Sequence, residues 1–413
     1  MSSPVWHPFT QHGLSEPIPL VESAEGAALF TADGRRIIDA ISSWWVTTHG
    51  HRHPAIMQAI ADQSERLDQI IFAGWTHEPA ERLARELLKI MPGELRYVFY
   101  SDSGSTSVEV ALKMALGYWL NRGEPRHRII VLEGSYHGDT IGGMSVGARG
   151  VFNRPYAPLL FDVDVIPFPF EGREQATLDA LEKLCRDSSP AALIVEPLIL
   201  GAGGMRIYSA ATLRELRRLC ANLGVLFIAD EVMTGWGRTG TLLACEQAAI
   251  VPDLLCLSKG LTGGALPLAV TLATAAIYDA HYSLNRRRQF FHSSSYTANP
   301  IACAAALANL QVWHDEPVAE RILSLQQRQE LQTGRLNKAR NVRQIGTITA
   351  CELGEAKSSY LSARSPGLLA HFRSKDLLVR PLGNTIYVMP PYCIDDADLD
   401  AIYDGVEEAL EWF

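Results

Sequence analysis

The chain has 413 residues, of which 47% are hydrophobic and 20% are charged, and its formal net charge is −9. This length allows roughly two to three domains with a sizeable core, and the acidic balance argues against a nucleic-acid-binding protein, which normally has a basic face. No apolar stretch reaches the roughly 18 residues of a membrane span. The first residues do not show the basic and then apolar pattern of a secretory signal.

Seven cysteines are scattered along the chain without a CxxC pair. An odd, scattered set is typical of reduced thiols rather than of a disulfide framework. Composition and cysteine usage together therefore predict a cytoplasmic enzyme that has no membrane or nucleic-acid partner.

Residues 1–48 are rich in proline and turn residues, and Asp33-Gly34 predicts a hairpin. The segment ends in the adjacent residues Trp44 and Trp45. Neighbours on a strand point to opposite faces, so one of the two rings could line a cleft. Burial of both rings in separate contacts is the alternative.

Three alternate histidines follow, at positions 49, 51 and 53. They lie in a loop that Gly50 and Pro54 interrupt, with no carboxylate at ligand spacing nearby. The sequence predicts no metal site here.

A strand predicted at 97–100 runs into a serine- and glycine-rich turn and then into a helix that begins near Ser105. The free backbone N–H groups and the dipole of such a helix start favour a bound anion at Gly104 and Ser105. No Walker lysine is present, so a nucleotide site is not indicated. A capped helix without a ligand is the alternative.

A further strand, predicted at 128–132, leads to Tyr136, which lies between two glycines with His137 and Asp139 beside it. An aromatic ring just past a strand end can lie flat on a planar ligand. Tyr136 is therefore a candidate for stacking on such a ligand.

Two charged residues follow two more apolar runs, at 225–229 and 254–257, which read as buried parallel strands. Asp230 follows the first run, and Lys259 stands two residues beyond the second. Ligands of open α/β sheets bind outside the carboxyl ends of the strands, and pyridoxal phosphate requires a lysine for its Schiff base and a carboxylate for its ring nitrogen. A helix cap and an ordinary turn are the alternatives.

Alternating strands and helices, including a strand at 192–195, continue to residue 273 and predict one large α/β domain with a mainly parallel sheet. A long helix is expected from about Pro300, and the last strands are expected around 379–381 and 386–389. Arg380 could clamp a carboxylate there with two hydrogen bonds; a surface ion pair is the alternative.

Five motifs together carry a family resemblance: SDSGSTSVEVALKMA, GSYHGDT, ADEVMTGWGRTG, LSKGLTGG and YTANPIA. They span roughly residues 30–390, and the chain resembles the pyridoxal-phosphate aminotransferases of fold type I, in the subgroup called class III or ω-aminotransferases. The resemblance implies a large domain at 49–305 with a mainly parallel seven-stranded sheet. It also implies a smaller α+β domain at 306–413, which the N-terminal segment 1–48 joins.

The resemblance assigns a role to each cofactor residue. Lys259 would hold pyridoxal 5′-phosphate and move the proton, Asp230 would pair with the ring nitrogen, and Tyr136 would cover the ring. The backbone at Gly104 and Ser105 would hold the phosphate.

Family members complete the phosphate site with a hydroxyl from the neighbouring subunit. The matching residue in this chain is Ser295, which stands where a threonine is usual, after Ser293-Ser294 in place of a Gly-Pro pair. A homodimer with shared active sites is therefore implied.

On the substrate side, Trp44 and Trp45 would frame a channel and Arg380 would bind a terminal carboxylate. Phe9 stands where the family usually has a tyrosine, and Leu382 where a phenylalanine is expected. These two differences from the family pattern are expected to affect substrate binding rather than cofactor binding.

Further motifs, WHPFT, SSWWVTTHGH, GWTHEPA, VRPLG and YVMPPY, resemble the biotin-synthesis branch of the family. This resemblance implies transamination of a long amino-oxo acid with S-adenosylmethionine as donor. Three alternatives stay open: a lysine-using variant, an ω-amino acid or diamine aminotransferase that uses pyruvate or 2-oxoglutarate, and a cofactor-binding protein without turnover.

Overall fold

The computed structural model of the chain describes residues 3–354 and 364–412. The strands are β1 Val21–Glu25, β2 Ala28–Thr31, β3 Arg36–Asp39, β4 Leu95–Ser101, β5 Ile129–Leu132, β6 Asp164–Ile166, β7 Ala192–Val195, β8 Ile199–Leu200, β9 Arg206–Ile207, β10 Leu226–Asp230, β11 Leu254–Leu257, β12 Ala269–Thr274, β13 Arg340–Ile345, β14 Ile348–Glu352, β15 Leu377–Leu378 and β16 Thr385–Val388.

The α-helices are Pro54–Ser64, Glu78–Ile90, Gly104–Asn121, Ile141–Ser145, Glu174–Ser188, Ala210–Leu223, Ala244–Gln247, Ala275–His281, Pro300–Asp315, Val318–Thr333, Ser365–Ser374 and Asp396–Trp412. Short 3₁₀ turns lie at His12–Leu14, Arg154–Leu159, Lys259–Thr262 and Arg286–Arg288. Within the described ranges, every helix is too short or too polar to cross a membrane.

A seven-stranded sheet forms the centre of the molecule, in the order β4-β12-β11-β10-β7-β5-β6. All neighbours are parallel except for β12, which runs antiparallel to both β11 and β4. The predicted α/β class with a mainly parallel seven-stranded sheet is confirmed.

The apolar strand runs are buried on both faces of this sheet. In β10, Phe227 and Ala229 pack into one core, whereas Leu226 and Ile228 pack into the core on the other side. Side chains alternate between the two faces of a strand, so a sheet covered by helices on both sides requires uninterrupted apolar runs. Each fully buried large side chain stabilises the fold by about 1.5–3 kcal/mol.

A second, four-stranded sheet joins the two ends of the chain in the order β1-β2-β3-β15. The hairpin predicted at Asp33-Gly34 is confirmed, since β2 and β3 pair antiparallel around Gly34, whose φ is +83°. Strand β3 then pairs in parallel with β15, and Ile38 packs in one core with Val379. The division of the chain at residues 48 and 305 stays a prediction.

Trp44 and Trp45 do not have the strand geometry that was assumed in assigning only one of their rings to a cleft. Residues Ser42 to Trp45 have φ values of +51°, +45°, +72° and +74°, and the Val46 N–H donates to the Ser42 carbonyl at 2.9 Å. They form one left-handed turn, a conformation that costs L-residues about 1–2 kcal/mol each. Successive side chains on a turn do not point in opposite directions, so both rings reach the same cavity.

The predicted strand at 379–381 is also displaced. Strand β15 ends at Leu378 and β16 begins at Thr385, so Arg380 lies in the connection between them. Pro381 has no N–H group to donate to a ladder, which disfavours extension of β15 through this position.

Candidate active site

Side chains at or just beyond the carboxyl ends of five strands of the central sheet, together with Trp45, line one cavity of about 160 Å³. Asp230 is the last residue of β10, Lys259 follows β11, and further lining residues lie in the segments after β4, β5 and β7. These strands run in the same direction, so their carboxyl ends meet at one edge of the sheet, where α/β proteins bind ligands. The cavity is lined by Trp45, Ser103, Gly104, Ser105, Tyr136, His137, Gly138, Glu196, Asp230, Val232, Met233 and Lys259.

Lys259 is a buried amine at the start of the turn Lys259–Thr262. Burial lowers its pKa to about 8, although the negative charges of Asp230 and Glu196 act in the opposite direction. Its Nζ atom lies 4.7 Å from the centre of the Trp45 ring, and its φ of +48° lies in the left-handed region. A lowered pKa increases the neutral fraction of the amine, which is the nucleophilic and proton-accepting form.

Asp230 is paired with a histidine that sequence reasoning noted only as a neighbour of Tyr136. The Oδ2 atom of Asp230 lies 2.7 Å from Nδ1 of His137, and both side chains are buried. The Val232 N–H donates to Oδ1 at 3.2 Å. These contacts fix the orientation of the carboxylate at the floor of the cavity.

Glu196 is a second buried carboxylate, and the sequence analysis did not select it. Its two oxygens accept hydrogen bonds from the N–H groups of Tyr136 at 3.0 Å and Gly201 at 2.9 Å. Burial, with an added contribution from the charge of Asp230, raises its pKa to about 7, although His137 acts in the opposite direction. Glu196 directly follows β7, so a charge placed just past a buried strand was the signal that could have identified it.

The predicted anion loop is a capped helix start. The Thr106 N–H donates to Ser103 Oγ at 3.2 Å, and the Ser103 N–H donates to Thr106 Oγ1 at 2.9 Å. A Cβ atom at Gly104 would lie 2.5 Å from Val232, and one at Gly138 would lie 2.1 Å from Ser105 Oγ. Two glycines therefore allow a close backbone approach beside N–H groups that have no acceptor within the helix.

The residues of this cavity fit pyridoxal 5′-phosphate. Lys259 offers an amine for the aldehyde, Asp230 a carboxylate for the ring nitrogen, and the helix start at Gly104 and Ser105 an anion site for the phosphate. Tyr136, which is 37% exposed, offers a ring face at the cavity wall.

A larger cavity of about 380 Å³ adjoins the first and shares Trp45, Tyr136 and Lys259 with it. The guanidinium of Arg380 lies 5.1 Å from the Trp44 ring and 5.7 Å from the Phe9 ring. Two cations, an amine and a guanidinium, thus line one channel with mainly aromatic walls. Its lining is Pro8, Phe9, Trp44, Trp45, Tyr136, Asp139, Phe152, Ala202, Lys259, Arg380, Leu382 and Tyr387.

The structure brings together all the predicted site residues except Ser295. Ser295 is exposed and is not among the residues that line either cavity. Its neighbour Ser294 donates to Asp102 Oδ2 at 3.0 Å, which anchors this loop next to the start of the anion loop. The assignment of Ser295 to a partner's phosphate site stays a prediction.

The three histidines near residue 50 each have a different partner. Nε2 of His49 lies 2.9 Å from Asn309, that of His51 lies 2.8 Å from Asp39, and that of His53 lies 2.9 Å from Glu316. Across residues 3–354 and 364–412, no three His, Cys, Asp or Glu side chains cluster as metal ligands would.

Comparisons with known proteins agree with this geometry. The sequence profile of the class-III aminotransferases matches residues 10–410. The chain is 47% identical over 417 residues to the adenosylmethionine-8-amino-7-oxononanoate aminotransferase of Synechococcus elongatus, and the match covers 98% of each chain.

Two solved structures are similar over nearly their whole length. The enzyme of the same name from Methanocaldococcus jannaschii has a TM-score of 0.93 at 33% identity, over 99% of this chain and 97% of that one. A pyridoxal-phosphate-bound amine transaminase from an uncultivated Pseudomonas species has a TM-score of 0.92 at 29% identity, over 100% and 99%. The chain therefore belongs to the class-III aminotransferase family.

Proposed function

We propose that this pyridoxal-phosphate-dependent aminotransferase moves an amino group from S-adenosylmethionine to 8-amino-7-oxononanoate, which yields 7,8-diaminononanoate in biotin synthesis. One observation carries the proposal: a channel with mainly aromatic walls has both a buried amine and a guanidinium in its lining. Such a channel suits a long methylene chain with a reacting carbonyl and a terminal carboxylate. Two relatives that are adenosylmethionine-8-amino-7-oxononanoate aminotransferases by name support this choice of substrates.

Four residues would hold the cofactor. Lys259 would bind its aldehyde, Asp230 its ring nitrogen, and the backbone at Gly104 and Ser105 its phosphate. The bound cofactor supplies an electron sink for the substrate carbon that carries the amino group. Asp230, whose Oδ2 lies 2.7 Å from His137 Nδ1, would place a negative charge at the ring nitrogen and so favour its protonated form.

Lys259 would also move the proton. Its pKa of about 8 leaves an appreciable neutral fraction near neutral pH, which is the requirement for a general base. Glu196 holds the backbone of Tyr136 and thereby the ring that would cover the cofactor.

Arg380 would bind the substrate carboxylate with charge-assisted hydrogen bonds. Trp44, Trp45 and Phe9 would exclude water around the methylene chain, which strengthens the electrostatic contacts within the channel. Donor and acceptor would use this channel in turn, because both must reach Lys259.

A cytoplasmic homodimer with shared active sites is part of the proposal. Ser295, exposed and outside both cavities, is available to the partner's phosphate site, and Ser295→Ala should weaken cofactor binding. Six of the seven cysteines are buried and all are free thiols, which suits a reducing compartment. Sedimentation velocity of the holoenzyme tests the dimer.

A second candidate is an ω-amino acid or diamine aminotransferase that uses pyruvate or 2-oxoglutarate. Phe9 and Leu382 favour it, since both line the channel and both depart from the family pattern. The similarity to an amine transaminase, at 29% identity, also favours it.

A single-turnover experiment separates the candidates. The holoenzyme is mixed separately with S-adenosylmethionine, lysine, 4-aminobutyrate and glutamate while the absorbance of the bound cofactor is followed. We expect rapid loss with S-adenosylmethionine, and formation of 7,8-diaminononanoate by mass spectrometry after addition of the acceptor. Rapid loss only with 4-aminobutyrate or glutamate would contradict the proposal, and loss with lysine would identify the lysine-using variant.

A further inference from the structure

The left-handed turn at residues 42–45 carries the two aromatic neighbours of the two cations in the channel. The Trp45 ring lies 4.7 Å from Lys259 Nζ, and the Trp44 ring lies 5.1 Å from the Arg380 guanidinium. The conformation of this one turn therefore sets the relative positions of both rings. L-residues disfavour it, and none of the four positions is a glycine.

Asp39, the last residue of β3, holds the interior of this turn. Its Oδ1 atom accepts hydrogen bonds from the N–H groups of Ser43 at 2.9 Å and Ile41 at 3.3 Å, and its Oδ2 accepts from Ser43 Oγ at 2.8 Å. The carboxylate is fully buried, and Nε2 of His51 lies 2.8 Å from Oδ2. Asp39 thus accepts hydrogen bonds from the backbone N–H groups of the turn, and His51 fixes the orientation of the Asp39 carboxylate.

Other contacts anchor the ends of the turn. Ser42 Oγ donates to the Met389 carbonyl at 2.7 Å, and the buried Arg238 donates to the carbonyls of Trp45 at 3.4 Å and Thr47 at 2.9 Å. With both ends attached, the bonds at Ser43 decide the backbone conformation between them. Asp39 supplies these bonds without touching either cavity.

We propose that Asp39, supported by His51, is a positioning residue that holds Trp44 and Trp45 against the two cations of the channel and so determines how well a long-chain carboxylate substrate is aligned. The substrate class in this statement rests on the proposed function. The role of Asp39 in shaping the channel does not depend on the proposed function.

The test compares Asp39→Ala with Asp39→Asn in the holoenzyme. The alanine variant should lower kcat/KM for 8-amino-7-oxononanoate by about tenfold or more, because a displacement of about 1 Å at a reacting group can cost about 10²-fold. Asparagine keeps an oxygen acceptor for the N–H groups of Ile41 and Ser43, so it should recover part of the loss. Nonanoate binding, measured by calorimetry without turnover, should weaken in parallel.

Asp398→Asn is the matched control. Asp398 is buried and accepts two hydrogen bonds from Arg36, on the same strand as Asp39, at 2.7 Å and 2.6 Å, but it does not line the channel. It should lower the melting temperature and leave kcat/KM and nonanoate binding unchanged. The proposal is overturned if Asp39→Ala behaves in the same way.

A double-mutant cycle with Trp44→Ala separates an effect through the turn from a general loss of stability. In the Trp44→Ala background, the part of the Asp39→Ala effect that acts through Trp44 is already lost, so Asp39→Ala should lower kcat/KM by a smaller factor than it does in the wild type, whereas independent effects would multiply. An undiminished effect would overturn the proposal. If Asp39→Ala does not fold, Asp39→Asn and His51→Gln take its place in the cycle.

The cycle is run with whichever amine consumes the cofactor absorbance of the wild-type holoenzyme. If that amine is not S-adenosylmethionine, or if the oxononanoate is not an acceptor, the proposed function fails. The role of Asp39 is still measured, because the cycle then uses the amine half-reaction that the enzyme performs.

Discussion

The cofactor cavity and the substrate channel share Lys259 but are built in different ways. Gly104, Tyr136 and Asp230 each follow a strand of one sheet, so the sheet's hydrogen bonds fix their relative positions. Phe9 and Arg380, by contrast, come from the two ends of the chain, and side-chain contacts bring them together.

Because of this difference, substitutions in the cofactor cavity and in the channel should have different effects on the two half-reactions. A change in the cofactor cavity should affect both half-reactions, because every substrate meets the same cofactor. A change at Arg380 or Phe9 in the channel should affect one substrate more than another, because these side chains would touch the part of the substrate that does not react.

The largest effect is expected for Lys259→Ala. Loss of the amine removes the attachment point of the cofactor and the general base together, so kcat should fall by at least about 10⁴-fold. Lys338→Ala, at an exposed lysine paired with Glu411, is the control. Steady-state kinetics with both substrates checks this, and turnover within tenfold of wild type would contradict the assignment.

Asp230→Asn should rank second. Asparagine keeps the shape of the side chain but not its charge, so stabilisation of the ring nitrogen should fall and both half-reactions should slow by about 10²–10³-fold. Asp253→Asn is the control, because Asp253 accepts from Phe227 at the opposite edge of the same sheet. If only one half-reaction became slower, Asp230 would be assigned to substrate binding rather than to cofactor binding.

The same contrast explains which parts of the molecule could be predicted from the sequence. Asp230, Lys259 and Tyr136 were found because each lies at or shortly after the carboxyl end of an apolar strand, and the parallel sheet then brings the strand ends together. Glu196 carried the same local signal, because it directly follows β7, but it was not predicted as a site residue. The mainly parallel sheet followed from the alternation of strands and helices, and its seven strands were implied by the family resemblance.

The channel was less predictable, since its geometry depends on contacts between distant segments. The left-handed turn at Trp44 depends on Asp39 and His51, and no local pattern specifies positive φ at four residues that are not glycine. Phe152 and Tyr387 line the channel without any sequence signal. The role of Ser295 depends on a second subunit, and the sequence of one chain does not determine where that subunit would bind.

Arg380→Ala tests the channel directly. Hydrogen bonds to a charged group contribute about 1.5–3 kcal/mol, so KM for 8-amino-7-oxononanoate should rise by about ten- to a hundredfold. The donor half-reaction should change far less. Arg373→Ala, at a half-buried arginine that donates to the Pro17 carbonyl and does not line the channel, is the control. An equal decrease in the rates of both half-reactions would indicate that Arg380 acts on the cofactor rather than on the substrate carboxylate.

Glu196 gives the stability of the cofactor cavity a pH dependence. Its pKa is raised to about 7 in the folded chain from an ordinary value of 4.5, so the folded state binds more protons between these values. Its contribution to stability is therefore complete below about pH 4.5 and is lost as the pH rises through about 7, by up to about 1.4 kcal/mol per pH unit. Urea unfolding of the cofactor-free wild type and Glu196→Gln from pH 4.5 to 7.5 checks this, and identical slopes would contradict it.

The smallest effect is expected for Phe9→Tyr, which restores the phenol that the family usually has beside the substrate amine. Phe9 lines the channel near Arg380, whose guanidinium lies 5.7 Å from its ring. One new hydrogen bond is worth about 0.5–1.5 kcal/mol, so kcat/KM for 8-amino-7-oxononanoate should rise about two- to tenfold. The rise should disappear with 7-oxononanoate, which lacks the amine, and Phe170→Tyr, at an exposed phenylalanine outside the channel, should have no effect on either substrate. An equal gain with both acids would mean that the hydroxyl acts on Arg380 or the carboxylate, and that residue 9 does not distinguish acceptors by their amine.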